Sequence, residues 1–544
     1  MSIRKTIAHN TAYNAAGRIW EALVSIGLTV YIIDTIGLEG FGLWSLVAVF
    51  TGYAALFDFG VASSFTKYIA SFAAQNRDDE VSAVVSTGAF FYGVLGIVIV
   101  AAGWPLIDLV MNGTLALMKI LSPEREWAFQ GTARWEEARF LFRGALILFA
   151  VTNCMAPFAA LQSGLQRMGI TNVLSVGASL LKVAATIFFL EQGDGVRGLL
   201  YTNGVVLAAF TVANIIVAYR IFPALQFGPR HLRWSLFRTL LAFGWRSQVA
   251  RLSNLINFQT DRIIVALATG GQLELVGLYR IGEDIAAKVR QVPALVVSAL
   301  IPAVSDLDSR EDHGRVAQLY IRSTKYVAAL TIPLTAFAIA TTDLLLSLYQ
   351  VKSTLGVSCW VAKIILVGYA MNLLPGPGVS VALGKGNAGL PMRAGLISMI
   401  GNVLLTIILF QAIGFYGIPV ATTLALSIST LWFFAALRRD VDVPPLELLR
   451  ASCLWPIIAS LPGFVLCLSI TLACESYLDR VGNLAIASGC AVLFGMTYVA
   501  CLRWTPFMDA YDVAFLRETL HLDRVPGFRF LPARGGGGSG CHAF

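Results

Sequence analysis

Apolar residues in this chain come in runs of about twenty, separated by short polar turns, and fourteen such runs can be placed. A helix crossing a bilayer needs about 20 mostly apolar residues. The runs fall at 15–36, 40–62, 81–103, 140–163, 170–190, 198–219, 241–268, 277–303, 326–348, 360–383, 394–411, 414–436, 452–474 and 482–502. Strand-type alternation of the outer-membrane kind does not occur. Several turns are short enough to require antiparallel neighbours, so the pattern predicts an all-α polytopic membrane protein with about 14 transmembrane helices in a bundle. The polar start, residues 1–17, lacks the apolar core and small-residue cleavage site of a signal peptide, so the first run is expected to remain.

Composition agrees: of 544 residues, 57% are hydrophobic and 13% charged, against about 25% charged in soluble domains. Mean hydropathy is +0.72. The net charge of +8 would suggest nucleic acid in a soluble protein. Here its distribution points to the membrane instead. With the N-terminus cytoplasmic, 23 Lys and Arg fall on the cytoplasmic side, seven on the other side and ten inside the runs. That bias orients the protein with both termini in the cytoplasm and makes nucleic acid an unneeded partner. The eight cysteines show no C-x-x-C and no His/Cys cluster of metal spacing, so neither a disulfide framework nor a metal site is expected.

Charges inside the runs are the informative exception, because each costs roughly 2.5–3.5 kcal/mol at bilayer depth. Most sit in three runs: Arg18 and Glu21 in the first; Arg246, Arg251, Asp261 and Arg262 in the seventh; Arg280, Glu283, Asp284, Lys288 and Arg290 in the eighth. At 100° per residue each set forms a polar stripe, which Asn254 and Asn257 extend in the seventh run. Counting Asp34, six Arg and one Lys face five acids. A shared, net cationic aqueous cavity explains the three stripes, and guanidinium suits an anionic cargo because its fork binds phosphate at any pH. Structural ion pairs are the competing explanation, above all for Arg280, Asp284 and Lys288, spaced four apart, and for Asp261 beside Arg262. Lys182 and Lys363 would enlarge the surplus if they faced inward, which spacing does not decide.

The charge-rich first, seventh and eighth runs suggest a six-run repeat. Asn153, Gly198 and Arg220 recur as Asn372, Gly417 and Arg439; Arg18 and Asp34 correspond to Arg246 and Asp261; Gly42-Leu43-Trp44 corresponds to Gly277-Leu278-Tyr279. An even-numbered repeat is parallel. The expected organisation is an N-terminal lobe, 1–220; a basic cytoplasmic linker, 221–240; a C-terminal lobe, 241–440; two additional helices, 441–505; and a cytoplasmic tail, 506–544, with an amphipathic piece at 511–522. Residues 104–139 are expected as the longest external loop, an interfacial helix anchored by Trp in preference to a substrate gate. Pro375-Gly376-Pro377-Gly378 should kink the tenth run, as a hinge or as a packing accommodation.

The stretch 31–70, with its G-x-x-x-[FY]-G-x-[WY] turn and D-[FL]-G end, resembles the first hairpin of Wzx-type polysaccharide flippases. The stretch 260–307, with V-G-x-Y and a later Pro-Ala before Ser305, looks like the matching hairpin of their second lobe. The resemblance covers most of residues 1–440. It implies membership of the multidrug/oligosaccharidyl-lipid/polysaccharide exporter superfamily, with two six-helix lobes in a V around a central cavity that opens alternately to each side. It further implies an undecaprenyl-diphosphate-linked oligosaccharide cargo, carried from the cytoplasmic to the periplasmic leaflet of a bacterial inner membrane.

Together these readings assign Arg18, Arg246, Arg251, Arg280, Arg290, Lys288, Asn254 and Asn257 to the cargo cavity. Glu21, Asp34, Asp261, Glu283 and Asp284 are candidates for coupling to Na⁺ or H⁺ or for structural pairs. No cofactor is expected; the partners are the lipid-linked oligosaccharide, membrane lipids, and polysaccharide polymerase or export proteins. A multidrug exporter of the same superfamily would be expected to have an acid-dominated cavity. A membrane enzyme of polysaccharide assembly should have a catalytic acid or His pair on an external loop, and 104–139 holds acids without His.

Overall fold

The computed structural model describes residues 3–54, 56, 61–121, 133–298, 313–349, 355–474, 480–509 and 512. Among them there is no strand. In chain order the helices are α1 (Ile3–Ala54), α2 (Val61–Ala74), α3 (Asp78–Leu121), α4 (Ala133–Gly164), α5 (Met168–Glu191), α6 (Gly195–Ile221), α7 (Trp234–Ala268) and α8 (Leu273–Ser298). They continue as α9 (His313–Ala340), α10 (Thr342–Ser347), α11 (Leu355–Leu373), α12 (Gly376–Gly384), α13 (Gly389–Ile413), α14 (Gly417–Leu437), α15 (Pro445–Cys474) and α16 (Arg480–Trp504).

Ten stretches of the described residues are long and apolar enough to cross a membrane. One of them, Gly389–Leu437, contains two of the expected runs, joined at a single helical turn, Gly414–Tyr416. Similarly, α1 contains the first expected pair, divided at Gly37, whose φ of 72° and ψ of 175° interrupt the helix. Only glycine adopts that conformation without strain, so the turn of the first hairpin is written into one residue. The eighth expected run is present as α8 but stands outside the ten, because Glu274, Arg280, Glu283, Asp284, Lys288 and Arg290 make it too polar. On α3, Phe90, Val94, Ile97 and Val98 are exposed, as are Val492, Met496 and Val499 on α16. Exposed aliphatic surface of this extent is what helices present to lipid.

The external segment expected at 104–139 is organised differently. α3 continues through Pro105 to Leu121 and α4 begins at Ala133, while Trp127, Glu124 and Glu126 lie outside the described residues. The extension is held by charge: Asp108 binds Arg139 at 3.0 Å and Arg143 at 2.6 Å, and Arg143 stacks on Trp104. Polar residues that read as a loop are thus the paired ends of two long helices. At the Pro-Gly run, α11 stops at Leu373 and α12 restarts at Gly376, which is the expected kink.

The chain divides into two compact units, residues 1–280 with 410–418 and residues 281–409 with 419–544. In the first, Phe65, Ile69, Tyr92 and Leu161 form one fully buried cluster, while Leu43, Leu141 and Leu146 belong to another. In the second, Tyr320, Phe433, Phe434 and Leu437 are central. Also in the first unit, the paired glycines of the sequence repeat sit against each other. A Cβ on Gly42 would lie 2.0 Å from the Leu273 carbonyl oxygen, and a Cβ on Gly277 would lie 2.6 Å from that of Leu38. The contact is reciprocal, since Leu38 and Leu273 occupy equivalent places four residues before the two glycines.

Candidate functional site

The first unit holds an open cavity of about 600 Å³ whose walls come from α1, α4, α5 and α6. Most of the lining is apolar, including Trp44, Phe149 and Phe210. Into it project two opposite charges, Lys182 from the middle of α5 and Glu21 from α1. Both side chains are solvent-accessible, and among the described residues neither makes an ion pair or hydrogen bond. An ammonium at mid-span without a counter-ion is costly in hydrocarbon, so its tolerance here depends on water or a ligand in the cavity. The remaining polar groups are Thr51, Thr152, Ser175, Ser179 and Asn203. Three of these hydroxyls donate to their own helix: Thr51 to Val47 O at 2.8 Å, Thr152 to Leu148 O at 2.8 Å, and Ser179 to Ser175 O at 2.9 Å.

The polar stripes of α7 and α8 occupy varied surroundings. Arg18, Arg246 and Arg251 lie on helices, but their side chains fall outside the described ones. Asn254 is exposed, whereas Asn257, Asp261 and Arg262 are buried. The hydroxyl of Tyr279, completely buried on α8, donates to Asp261 at 2.6 Å. Tyr53 on α1 hydrogen-bonds Thr260 one residue away. Arg280 is half-buried, and Asp34 is exposed on α1.

In the second unit, Glu283 and Asp284 are buried while Lys288 and Arg290 are half-buried. Tyr369 of α11 reaches Glu283 at a long 3.5 Å, and the Arg290 guanidinium lies 5.4 Å from the same Tyr369 ring. One aromatic side chain therefore touches both an acid and a base of the eighth-run stripe. Arg280, Glu283, Asp284, Lys288 and Arg290 all interact with further groups, so they are engaged residues in this conformation.

The two lysines that spacing left undecided part company. Lys182 opens into the cavity, whereas Lys363 on α11 pairs with Asp343 on α10 at 3.0 Å, where Cys359 also donates to Asp343 at 2.7 Å. Lys363 therefore adds nothing to a cationic surplus. Sequence reasoning also passed over Asn402 on α13, which donates to Thr422 at 2.8 Å. Its Oδ1 and the Thr406 hydroxyl, one turn on, are buried with no hydrogen-bond partner among the described residues. A lone Asn in an apolar run has no periodic signature that would have singled it out.

Comparison with known proteins bears on family and fold. The family described as "Polysaccharide biosynthesis protein" matches residues 7–308, and "Lipid II flippase MurJ" matches residues 293–483. A putative O-antigen transporter of Shigella flexneri is 21% identical over 375 residues, covering 68% of this chain and 82% of the relative. The probable flippase AglR of Haloferax volcanii is 21% identical over 456 residues, covering 81% and 85%. In fold, the inward closed conformation of the lipid II flippase MurJ superimposes with a TM-score of 0.62 at 14% identity, covering 94% of this chain and 100% of that one. With residues 7–308, more than half the chain, matching that family, the protein belongs to the polysaccharide biosynthesis protein family, as a Wzx-type flippase of the multidrug/oligosaccharidyl-lipid/polysaccharide exporter superfamily.

Proposed function

We propose that this flippase carries undecaprenyl-diphosphate-linked oligosaccharide repeat units from the cytoplasmic to the periplasmic leaflet of a bacterial inner membrane by alternating access, with both termini in the cytoplasm. The observation that carries the reading is the cavity of the first unit, where Lys182 and Glu21 stand unpaired among the described residues within apolar helices. A polar headgroup crossing the bilayer requires such a surface, because lipid offers its hydroxyls and charges no partners. The name of the Shigella relative, an O-antigen transporter, agrees with a saccharide cargo.

In this reading the diphosphate is met by guanidinium, with Arg18, Arg246, Arg251, Arg280 and Arg290 as the candidates, Lys288 adding charge, and Asn254 and Asn257 supplying neutral contacts. Binding must be similar in the two states, or the cargo would be trapped in the one that holds it tighter. Glu21, Asp34, Asp261, Glu283 and Asp284 are the groups through which a Na⁺ or H⁺ gradient would act.

The test is translocation of a fluorescent undecaprenyl-diphosphate oligosaccharide in proteoliposomes. Reversing two charges, Arg246→Glu with Arg251→Glu, should reduce flux by at least about tenfold, the scale of one lost charge-assisted contact. Undiminished flux in that double variant would remove both residues from the cargo path. Absence of flux in the wild-type protein, with and without imposed Na⁺ and H⁺ gradients, would overturn the functional reading itself.

A further inference from the structure

We infer that the first-unit cavity is a subsite for sugar rather than for diphosphate, and that Lys182 selects a sugar bearing a carboxylate. The inference rests on the flippase reading above and assigns one part of the cargo to one part of the protein.

The argument lies in the direction of the hydrogen bonds. Thr51, Thr152 and Ser179 have already given their protons to helix carbonyls, so each turns only lone pairs toward the cavity. Glu21, when ionised, is likewise an acceptor. A diphosphate has acceptors and no donors, so in this pocket chiefly Lys182 and Asn203 would meet it, and its remaining oxygens would lie against lone pairs. A sugar has donors at every hydroxyl, and it can satisfy a wall of lone pairs. Trp44, Phe149 and Phe210 supply flat apolar surface of the kind that packs on the C–H face of a pyranose ring. The volume, about 600 Å³, lies within the usual 300–1,000 Å³ of small-molecule sites.

Lys182 is the exception to the acceptor wall. It brings three donors and a positive charge to mid-span, and among the described residues nothing in the protein answers it, Glu21 included. A neutral sugar seated over that ammonium would displace its water without supplying a counter-charge, whereas the carboxylate of a uronic acid would supply one. Asn203, offering both donor and acceptor on α6, can bind a hydroxyl in either sense. The two charges thereby orient the ring, acidic group toward α5 and hydroxyls toward α1.

The experiment uses the full-length protein in nanodiscs, titrated with a uronic-acid disaccharide and with its carboxyl-reduced neutral counterpart, followed by tryptophan fluorescence with Trp44→Phe as the signal control. The wild type should bind the acidic disaccharide at least about tenfold more tightly, Lys182→Gln should bring the two to parity, and Lys182→Arg should keep the preference. Equal wild-type affinities, or a preference that survives Lys182→Gln, would overturn the inference. The same pair attached to undecaprenyl diphosphate is then assayed for flux in proteoliposomes. Flux without discrimination sinks the carboxylate subsite and leaves the flippase standing, whereas no flux for either compound sinks the flippase reading.

Discussion

A lysine in the middle of an apolar helix has two fates in this protein, and the difference lies in what the next helix offers. Lys363 is neutralised by Asp343, with Cys359 completing the carboxylate's hydrogen bonds and about a quarter of each charged side chain still exposed. Breaking such a pair leaves a charge uncompensated, so Lys363→Met should cost about 3 kcal/mol in stability, while Lys363→Met with Asp343→Leu should recover most of it. Thermal unfolding of the two variants in one detergent checks this; equal losses would mean that the pair is not the unit of stability. Lys182 has no such neighbour, and its replacement is expected to act on cargo preference. No helical wheel separates these cases, because both residues stand alone on apolar helices and Asp343 is twenty residues from Lys363, across a turn. The charges of α8 were legible as a stripe, but their engagement with Tyr369 depends on a residue whose own run looked merely apolar.

Among elements, α1 and α8 cross closely at two glycines that the sequence repeat had paired as equivalents, without foretelling that they touch. Gly42 and Gly277 were matched by sequence position, and the structure sets each against the carbonyl four residues before the other. An ordinary contact needs about 3.5 Å. A methyl at Gly42, 2.0 Å from Leu273 O, therefore requires the backbones to separate by more than about 1 Å. Gly42→Ala should destabilise the protein by about 1–3 kcal/mol and impair flux, whereas Gly177→Ala, with open space around its Cβ, should be neutral or slightly stabilising. Unfolding and proteoliposome flux measured on both variants test the contrast, and a neutral Gly42→Ala would show that the crossing yields easily. The break at Pro375 and the hairpin near Gly37 were legible because Pro and Gly act locally. The extents of α3 and α4 were not, because the ion pairs that make their polar ends helical join residues thirty or so positions apart.

At the scale of the whole molecule, the segment after α16 returns to its own unit. Asp512, 2% exposed, is bound by Lys325, by Tyr326 at 2.5 Å and by Arg322 at 3.3 Å, all on α9, with Phe507 under the Lys325 ammonium. Of the amphipathic stretch expected at 511–522, only this residue is described, the others lying outside the described residues. Burial by itself would raise the Asp512 carboxyl, but Lys325, Tyr326 and the Asp509 backbone N–H outweigh it and hold the group below the usual carboxylate range. Its stabilising contribution is therefore complete above about pH 4, the unfolded value, and is lost as pH falls through the lower folded one. Limited proteolysis near residue 512 should be unchanged from about pH 8 to 5 and accelerate only below about 4. Asp512→Asn should weaken the docking about thirtyfold, or about 2 kcal/mol, already at neutral pH; indifference of proteolysis to this change would mean the segment is held by Phe507 and its neighbours. The kink at Pro375 bears on how the second unit as a whole can respond. A Cβ on Gly376 would meet Val297 of α8 at 2.8 Å, and one on Gly378 would meet Leu437 of α14 at 2.7 Å. The bend is thus wedged on both sides, and α12 cannot swing about it without carrying α8 and α14 along. A joint that looks soft along its own backbone is, in its surroundings, a keystone: motion arriving at one of these three helices is delivered to the other two.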